Sequence, residues 1–130
     1  MKKNDEIYRE RGKIKANRTT IKADKNGIAA DMRVVVLVND HTASIAGALT
    51  SVFKHREHSV AMGITTYGKA SIEDMLDADN GYKALITIGM PYDRNSVTWH
   101  GTGIEPDVKI PEVKGTDNVL ELAKHYIQGM

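Results

Sequence analysis

Residues 34–49, VVVLVNDHTASIAGAL, predict a β-strand that passes through a short turn directly into an α-helix. The run Met32–Val38 is rich in β-branched residues without polar alternation, which is typical of a strand buried on both faces. Asp40 or Thr42 can cap the helix, because both side chains accept hydrogen bonds from the free N–H groups at a helix start. The predicted helix carries one apolar face, formed by Ile45, Leu49, Val52 and Phe53.

The rest of the chain alternates between predicted strands and helices, which indicates the α/β class, with buried strands and packed helices. Residues 1–12 form a charged N-terminal segment that we expect to be frayed or linker-like. Loose alternation over residues 13–22 predicts a hairpin. Further strands are predicted at residues 59–62, 72–76, 83–90 and 97–99, a loop at 63–71, and a second helix at 119–127.

The composition excludes several classes of function. The chain has 130 residues, 41% of them hydrophobic, which is enough for a core at this size. Its formal net charge of +1 does not favour nucleic acid or a membrane surface as a partner. The absence of cysteine excludes disulfides, thiol catalysis and cysteine metal sites. No apolar run reaches the length of a membrane span, and the basic N-terminus lacks the apolar core of a secretory signal.

Ser44 is the first candidate for chemistry, because it follows the predicted strand and lies in the first turn of the predicted helix. Nucleophiles are often exposed at such a strand-to-helix elbow. The N–H groups of a helix start lack intrahelical partners, so the N–H of Ile45 could stabilise an oxyanion. A serine at this place can also simply cap the helix, and that is the commoner role for Ser44 considered alone.

Lys69 is the second candidate, in the segment Gly63-Ile-Thr-Thr-Tyr-Gly-Lys-Ala-Ser71, whose glycines suggest a shaped turn. A lysine can take the proton of a serine hydroxyl if burial lowers its pKa, and a Ser–Lys pair needs no histidine. Glu73 could orient the amine, although its charge would also favour the ammonium form. A surface lysine and an exposed glutamate remain the alternatives. The segment approaches a phosphate-binding loop, but Ala70 replaces the Mg²⁺-binding hydroxyl, which disfavours nucleotide binding.

The histidines give weaker signals than Ser44 and Lys69. His41 could act as the base of a Ser–His pair, but no acid is obviously placed to orient it, so it ranks second. His55 and His58 could share a metal ion, yet no third ligand is near, and cations at a helix end suit the dipole, which favours a surface role. His100 stands before a glycine-rich corner, which predicts a structural role. No metal or organic cofactor is expected.

Taken together, these segments resemble the C-terminal processing (tail-specific) peptidases, a Ser–Lys family. The family has a buried strand ending in Val-Asn and then a Ser-Ala-Ser-Ala-type elbow, and its nucleophile falls on Ser44. Its Gly-x-x-Thr-Phe-Gly-Lys-Gly-Ser-Val-Gln segment places the general base on Lys69 and a supporting glutamine on Glu73. Its closing Gly-x-Gly-Ile-x-Pro-Asp matches Gly101–Asp107 without a gap. The resemblance covers residues 13–110.

The chain departs from the family pattern in three respects. Gly47 stands where the family often has an acidic residue, and residues 93–96 (DRNS) replace its Thr-Pro-Ser-Gly turn. The peptide-binding PDZ domain and the preceding glycine segment, which supplies a second oxyanion N–H, are not in this sequence. The resemblance thus implies a catalytic-core fragment that holds both catalytic side chains.

The resemblance implies that residues 13–130 form the C-terminal part of a crotonase/ClpP-like peptidase core. It implies a serine endopeptidase that cleaves protein C-terminal regions, with Ser44 as nucleophile, Lys69 as general base, Glu73 as its support and the Ile45 N–H at the oxyanion. The partner would be a protein or peptide substrate, without nucleic acid or cofactor. The location would be extracytoplasmic, in the periplasm or cell envelope, and a homo-oligomer is compatible. The alternative is a non-catalytic peptide-binding or assembly module with a degenerate peptidase core.

Overall fold

The computed structural model describes residues 1–28 and 30–129, so Met130, the last residue of the predicted core, lies outside the described residues. The described residues form two sheets and two α-helices, which confirms the predicted α/β class. The strands are β1 (Glu6–Arg11), β2 (Arg18–Lys22), β3 (Val34–Val38), β4 (Ser59–Gly63), β5 (Ile72–Asp77), β6 (Lys83–Tyr92) and β7 (Val108–Lys109), and the helices are α1 (Ile45–Lys54) and α2 (Asn118–Gln128).

The larger sheet has four antiparallel strands in the order β2-β1-β6-β5. Its second strand, β1, lies within the segment that the sequence predicted to be frayed, so that prediction is wrong. The physical reason is tertiary: β2 and β6 pair with β1 from its two sides and satisfy its backbone groups, which outweighs its charged side chains. The predicted hairpin therefore begins earlier than expected, with a 3₁₀ turn at Lys15–Asn17 between β1 and β2.

The smaller sheet has three parallel strands in the order β3-β4-β7, and α1 makes the crossover from β3 to β4. The second helix, α2, packs against β3 and β4. The expectation that β3 is buried on both faces is wrong, since Val34–Val36 are half-buried and Leu37 is 40% exposed. The reason is that β3 is the edge strand of its sheet. Val38, next to the elbow, is buried.

The predicted helix at Ser44 is confirmed as α1, but its buried face is not the apolar one. Ile45 and Leu49 are 79% and 55% exposed, whereas the buried positions hold Gly47, Ala48, Thr50 and Ser51. Small side chains allow a helix to lie close to its neighbours, and here close approach decides which face turns inward.

Two small apolar cores hold these elements together. The first lies beneath the elbow and consists of Ala48, Ala70, Trp99 and Ile104, with Tyr8 of β1 packed against it. Trp99 belongs to an irregular segment rather than to the strand predicted at 97–99. The second core is formed by Met62, Ile110, Val119 and Ala123, with Val35 and Val60 at its border. Neither helix of the described residues has the length and apolar character needed to cross a bilayer.

Candidate active site

Ser44 lies at the sharp turn between β3 and α1, in a backbone conformation that non-glycine residues rarely adopt. Its φ of 54° and ψ of −125° define a strained state, which costs about 1–3 kcal/mol and persists only where surrounding contacts hold it. The residue occupies the N-cap position and is exposed, but its side chain makes no capping hydrogen bond. The alternative of a simple capping serine is therefore wrong, and the hydroxyl remains available for chemistry.

The two residues expected to cap α1 hold the preceding turn instead. The Thr42 hydroxyl accepts a hydrogen bond from the Asn39 N–H at 3.1 Å. Asp40 pairs with the ring of His41 at 2.8 Å, so it is the acidic partner of His41 that the sequence analysis did not identify. The His41 side chain is 88% exposed, however, and its hydrogen bond goes to Asp40 rather than to Ser44.

Backbone hydrogen bonds join the elbow to the loop that carries Lys69. The Ser44 N–H donates to the Lys69 carbonyl at 2.9 Å, and the Tyr67 N–H donates to the Thr42 carbonyl at 3.0 Å. These bonds use main-chain groups and do not depend on the candidate side chains. They fix the two candidate segments next to each other.

The Lys69 amine is held by the segment that follows it. It donates to the Ser71 carbonyl at 3.2 Å and to Glu73 Oε2 at 3.1 Å. The Ser71 hydroxyl donates to Glu73 Oε1 at 2.8 Å, and the hydrogen bonds from Ser71 and then Lys69 lower the pKa of Glu73. Within residues 1–28 and 30–129, no hydrogen bond joins this amine to the Ser44 hydroxyl. The predicted burial of Lys69 is wrong: 35% of its side chain is exposed, because it borders an open cleft.

Ser44 and Lys69 line one cleft of about 340 Å³. A larger groove of about 860 Å³ lies between the end of β3 and residues 112–119, but neither candidate residue borders it. We assign the candidate site to the smaller cleft because it brings together a hydroxyl, an amine and a carboxylate. Its remaining walls are formed by Tyr8, Glu10, Ile45, Ala48, Ala70, Ser71, Ile72, Glu73, Leu85 and Pro91.

Tyr8 and Glu10 are the site residues that sequence reasoning missed. They alternate on one face of β1, which was the available signal, but the segment had been predicted to be frayed. In the structure, β1 lies beside β6 and brings both side chains to the cleft. The N-terminal segment therefore contributes to the wall that faces Ser44.

The start of α1 also offers a backbone donor to the cleft. Ile45 is the first residue of α1 and lines the cleft, and in the described part of the chain its N–H donates to no carbonyl. Further along α1, Gly47 packs against Trp99: a Cβ at Gly47 would lie 3.0 Å from Trp99 Nε1. That indole nitrogen is buried and has no hydrogen-bond partner among the described residues.

The glycine-rich corner supports the Lys69 loop from below. The Thr66 N–H donates to the Ile104 carbonyl at 3.1 Å, and the Ile104 N–H donates back to the Thr66 hydroxyl at 2.8 Å. His100 accepts a hydrogen bond from the Ala70 N–H on its Nδ1 at 3.2 Å. The structural role predicted for His100 is thus confirmed.

His55 has a partner that the sequence analysis missed. Its Nε2 lies 2.8 Å from Asp93, and the two side chains are 23% and 13% exposed, so the surface role expected for His55 is wrong. No local pattern links these residues, because the contact joins the end of α1 to the segment after β6. Within residues 1–28 and 30–129, the His, Asp and Glu side chains form no group of three that could hold a metal ion.

Comparison with known sequences finds peptidases. The family model for peptidase family S41 matches residues 1–110. The chain is 33% identical over 96 residues to the chloroplastic C-terminal processing peptidase of Tetradesmus obliquus, covering 73% of this chain and 21% of that protein. It is 31% identical over 103 residues to the chloroplastic carboxyl-terminal-processing peptidase 1 of Arabidopsis thaliana, covering 79% and 21%. The chain thus spans about a fifth of the length of these relatives.

Comparison with solved structures finds the same fold. The photosystem II D1 C-terminal processing protease superposes with a TM-score of 0.74 at 24% identity, over 84% of this chain and 28% of that one. A lipoprotein from Streptococcus agalactiae gives a TM-score of 0.74 at 20% identity, over 97% and 45%. At these identities the likeness concerns the fold.

Proposed function

The chain belongs to peptidase family S41, the C-terminal processing peptidases, and from that premise we propose that it carries the reactive residues of a serine endopeptidase that cleaves protein C-terminal regions. The peptidase chemistry follows from the cleft of Ser44 and Lys69, and the preference for C-terminal regions follows from the names of its relatives. Residues 13–130 would form the C-terminal part of the catalytic core, with β1 attached to it.

In the proposed mechanism Ser44 is the nucleophile. Its hydroxyl oxygen bonds to the scissile carbonyl carbon while the uncharged Lys69 amine takes the hydroxyl proton. The Ile45 N–H stabilises the resulting oxyanion, as backbone donors at a helix start are suited to do. Lys69 returns the proton to the departing amine as the C–N bond breaks, and water then hydrolyses the acyl-enzyme ester.

One observation carries this proposal: the Ser44 N–H donates a hydrogen bond to the Lys69 carbonyl at 2.9 Å. This bond lies at a strained elbow where the Ser44 hydroxyl makes no capping hydrogen bond. A purely structural turn would gain stability if the serine side chain satisfied a free helix N–H. Here the side chain accepts no hydrogen bond from the helix start, and Ser44 lines the cleft with Lys69 instead.

The role of Glu73 in this mechanism is to position Lys69. One oxygen of its carboxylate lies 3.1 Å from the Lys69 amine, and the other accepts a hydrogen bond from the Ser71 hydroxyl at 2.8 Å. The carboxylate therefore holds the amine at the border of the cleft that Ser44 also lines.

A fluorophosphonate probe tests the proposal, since it reacts covalently with activated serines. In the protein at its full natural length, we expect labelling that maps to Ser44 and that falls at least tenfold in Lys69→Ala. The matched control is Lys83→Ala, because Lys83 pairs with Asp77 at the far end of β5, away from the cleft. Labelling that survives Ser44→Ala, or that falls equally in Lys83→Ala, would contradict the assignment.

The second candidate is a non-catalytic peptide-binding or assembly module with the same core. The observation that favours it is the half-exposed Lys69 amine, bonded to Ser71 and Glu73 and not to Ser44. Full-length protein that binds peptides but never reacts with the probe would establish this candidate instead.

Location and partners follow as proposals from the relatives. We propose an extracytoplasmic protein, because these peptidases include forms named for the chloroplast as well as bacterial ones. The proposed partners are protein substrates, and self-association is compatible with the exposed apolar side chains Ile45 and Leu49 of α1. Fractionation of cells that express the full-length protein would test the location directly.

A further inference from the structure

One wall of the cleft is formed by residues of the four-stranded sheet. Tyr8 and Glu10 alternate along β1 and therefore project to the same face. Glu10 pairs with Pro91 across the β1–β6 ladder, and Leu85 lies further along β6, beyond a register shift in the β5–β6 ladder. All four residues line the cleft with Ser44.

Glu10 is the carboxylate of this wall whose charge is left uncompensated. Among the described residues no Lys, Arg or His forms an ion pair with it. Its neighbours on β1 are engaged elsewhere: Arg9 bonds to Glu6 at 2.8 Å, and the Arg11 guanidinium lies 5.1 Å from the centre of the Tyr92 ring.

The other charges of the cleft cancel. Lys69 and Glu73 form a pair at 3.1 Å, which leaves Glu10 as the source of one net negative charge. Burial, followed by the negative charge of Glu10, raises the pKa of Tyr8 to about 12. The phenol therefore stays protonated and adds no charge of its own at neutral pH.

The remaining lining of the cleft is largely apolar. Ala48, Leu85 and Pro91, together with the ring of Tyr8, offer hydrocarbon surface in the cleft that Ser44 and Glu10 also line. Long basic side chains bury their methylene stems on such surfaces and keep the charged head at a polar group. A purely apolar side chain would cover the same surface but would leave the half-buried Glu10 carboxylate, which has the neutral Tyr8 phenol as a hydrogen-bond partner, without a compensating positive charge.

We propose, on the basis of the proposed peptidase function, that Glu10 is a specificity-determining residue that selects a basic side chain, lysine or arginine, on the substrate residue whose carbonyl Ser44 attacks. The methylenes of that side chain pack on Leu85, Pro91 and the Tyr8 ring. Its cationic head pairs with the Glu10 carboxylate. Acidic side chains at the same substrate position are rejected by like-charge repulsion.

Two peptidyl phosphonate probes test this specificity in the full-length protein. They are identical except that the residue next to phosphorus is lysine in one and norleucine, which has a similar stem without the charge, in the other. Because the ion pair is partly exposed, we expect the lysine probe to label roughly three- to tenfold faster. In Glu10→Gln the ratio of the two rates should fall to about one.

The matched control is Asp74→Asn. This substitution removes one negative charge from β5, as Glu10→Gln removes one from β1. Asp74 directly follows Glu73, so its side chain projects to the other side of the strand and is not part of the cleft wall. The lysine preference should persist in this variant. A ratio near one in the unmodified protein, an unchanged ratio in Glu10→Gln, or an equal fall in Asp74→Asn would overturn the inference.

A binding measurement separates failure of this inference from failure of the proposed function. Calorimetry with Ser44→Ala compares two peptide amides that differ only by lysine or norleucine at the same position. If neither probe labels the protein but the lysine peptide binds more tightly and Glu10→Gln abolishes the difference, the peptidase proposal fails, while the selection of a basic side chain by Glu10 stands as a property of peptide binding. If the probes label Ser44 and neither labelling nor binding prefers lysine, the peptidase proposal stands and the inference about Glu10 fails.

Discussion

Gly103 should be far less tolerant of alanine than Gly101, although both residues lie in the same corner beneath the Lys69 loop. Both have a positive φ, +75° at Gly103 and +80° at Gly101. A Cβ at Gly103 would lie 2.2 Å from the Thr66 carbonyl oxygen, whereas a Cβ at Gly101 would meet nothing within 4 Å. The pair therefore separates the cost of the backbone conformation from the cost of the close approach.

The expected magnitudes follow from these distances. At Gly101 the positive φ costs about 1–2 kcal/mol, and the stiffer unfolded chain returns about 0.4–1 kcal/mol, so the net loss is about 1 kcal/mol. At Gly103 the corner must also move, since C···O contacts lie near about 3.3 Å. Overpacking of this kind costs about 1–3 kcal/mol, and the two weakened Thr66–Ile104 hydrogen bonds add about 0.5–1.5 kcal/mol each. The total for Gly103→Ala is about 3–7 kcal/mol.

Urea unfolding of the two variants measures this difference. With a slope of about 2 kcal/mol/M, the middle of the usual range, a gap of about 2–6 kcal/mol separates the two midpoints by about 1–3 M. The slope itself should not change if only the native corner is strained. Equal midpoints for Gly103→Ala and Gly101→Ala would refute the reasoning, because they would mean that the contact with Thr66 relaxes without cost.

Three further predictions concern the cleft and its support. Ser44→Gly should raise the free energy of unfolding by up to about 2 kcal/mol relative to Ser44→Ala, because glycine adopts this φ without strain. A urea melt in which Ser44→Ala has the higher free energy of unfolding would contradict this prediction. The pKa of Glu73 is lower in the folded state than in the unfolded state. Glu73 therefore stabilises the fold above its unfolded-state pKa and loses that contribution as the pH falls through its folded-state pKa. The difference in unfolding free energy between the protein and Glu73→Gln should exist at neutral pH and close in acid, and a difference that widens in acid would contradict this prediction. Thr66→Val should cost about 1–3 kcal/mol by leaving the Ile104 N–H unpaired, whereas Thr66→Ser keeps the acceptor and should cost less in the same melt.

The parts of the fold that sequence could predict are those coded locally. The strand-to-helix elbow at Ser44 and the helix α1 follow from residues within a few positions of each other, and both were found. The strand β1 could not be found in this way, because its stability comes from pairing with β2 and with β6, which lies far along the chain. Its own charged side chains point to the opposite conclusion.

The buried face of α1 illustrates a second limit. Periodicity correctly identified an apolar stripe through Ile45 and Leu49, but the helix buries Gly47 and Ala48 instead. Hydrophobicity scales predict that large apolar side chains are buried. The close contact between Trp99 and Gly47, by contrast, requires a residue without a side chain at the buried position. Which requirement prevails depends on the neighbour, and the neighbour is more than 40 positions away.

The candidate site shows the same division between backbone and side chains. Its assembly rests on main-chain hydrogen bonds, above all that from Ser44 to Lys69, and these bonds survive any substitution that keeps the backbone. Its proposed reactivity rests on the amine of Lys69, which bonds to the Ser71 carbonyl and to Glu73 in this structure. Shape and the proposed activity can therefore be lost independently. A chain with this elbow could remain a well-formed peptide-binding core without chemistry, so that the access of one amine to the Ser44 hydroxyl, rather than the fold, decides between the two functions proposed for it.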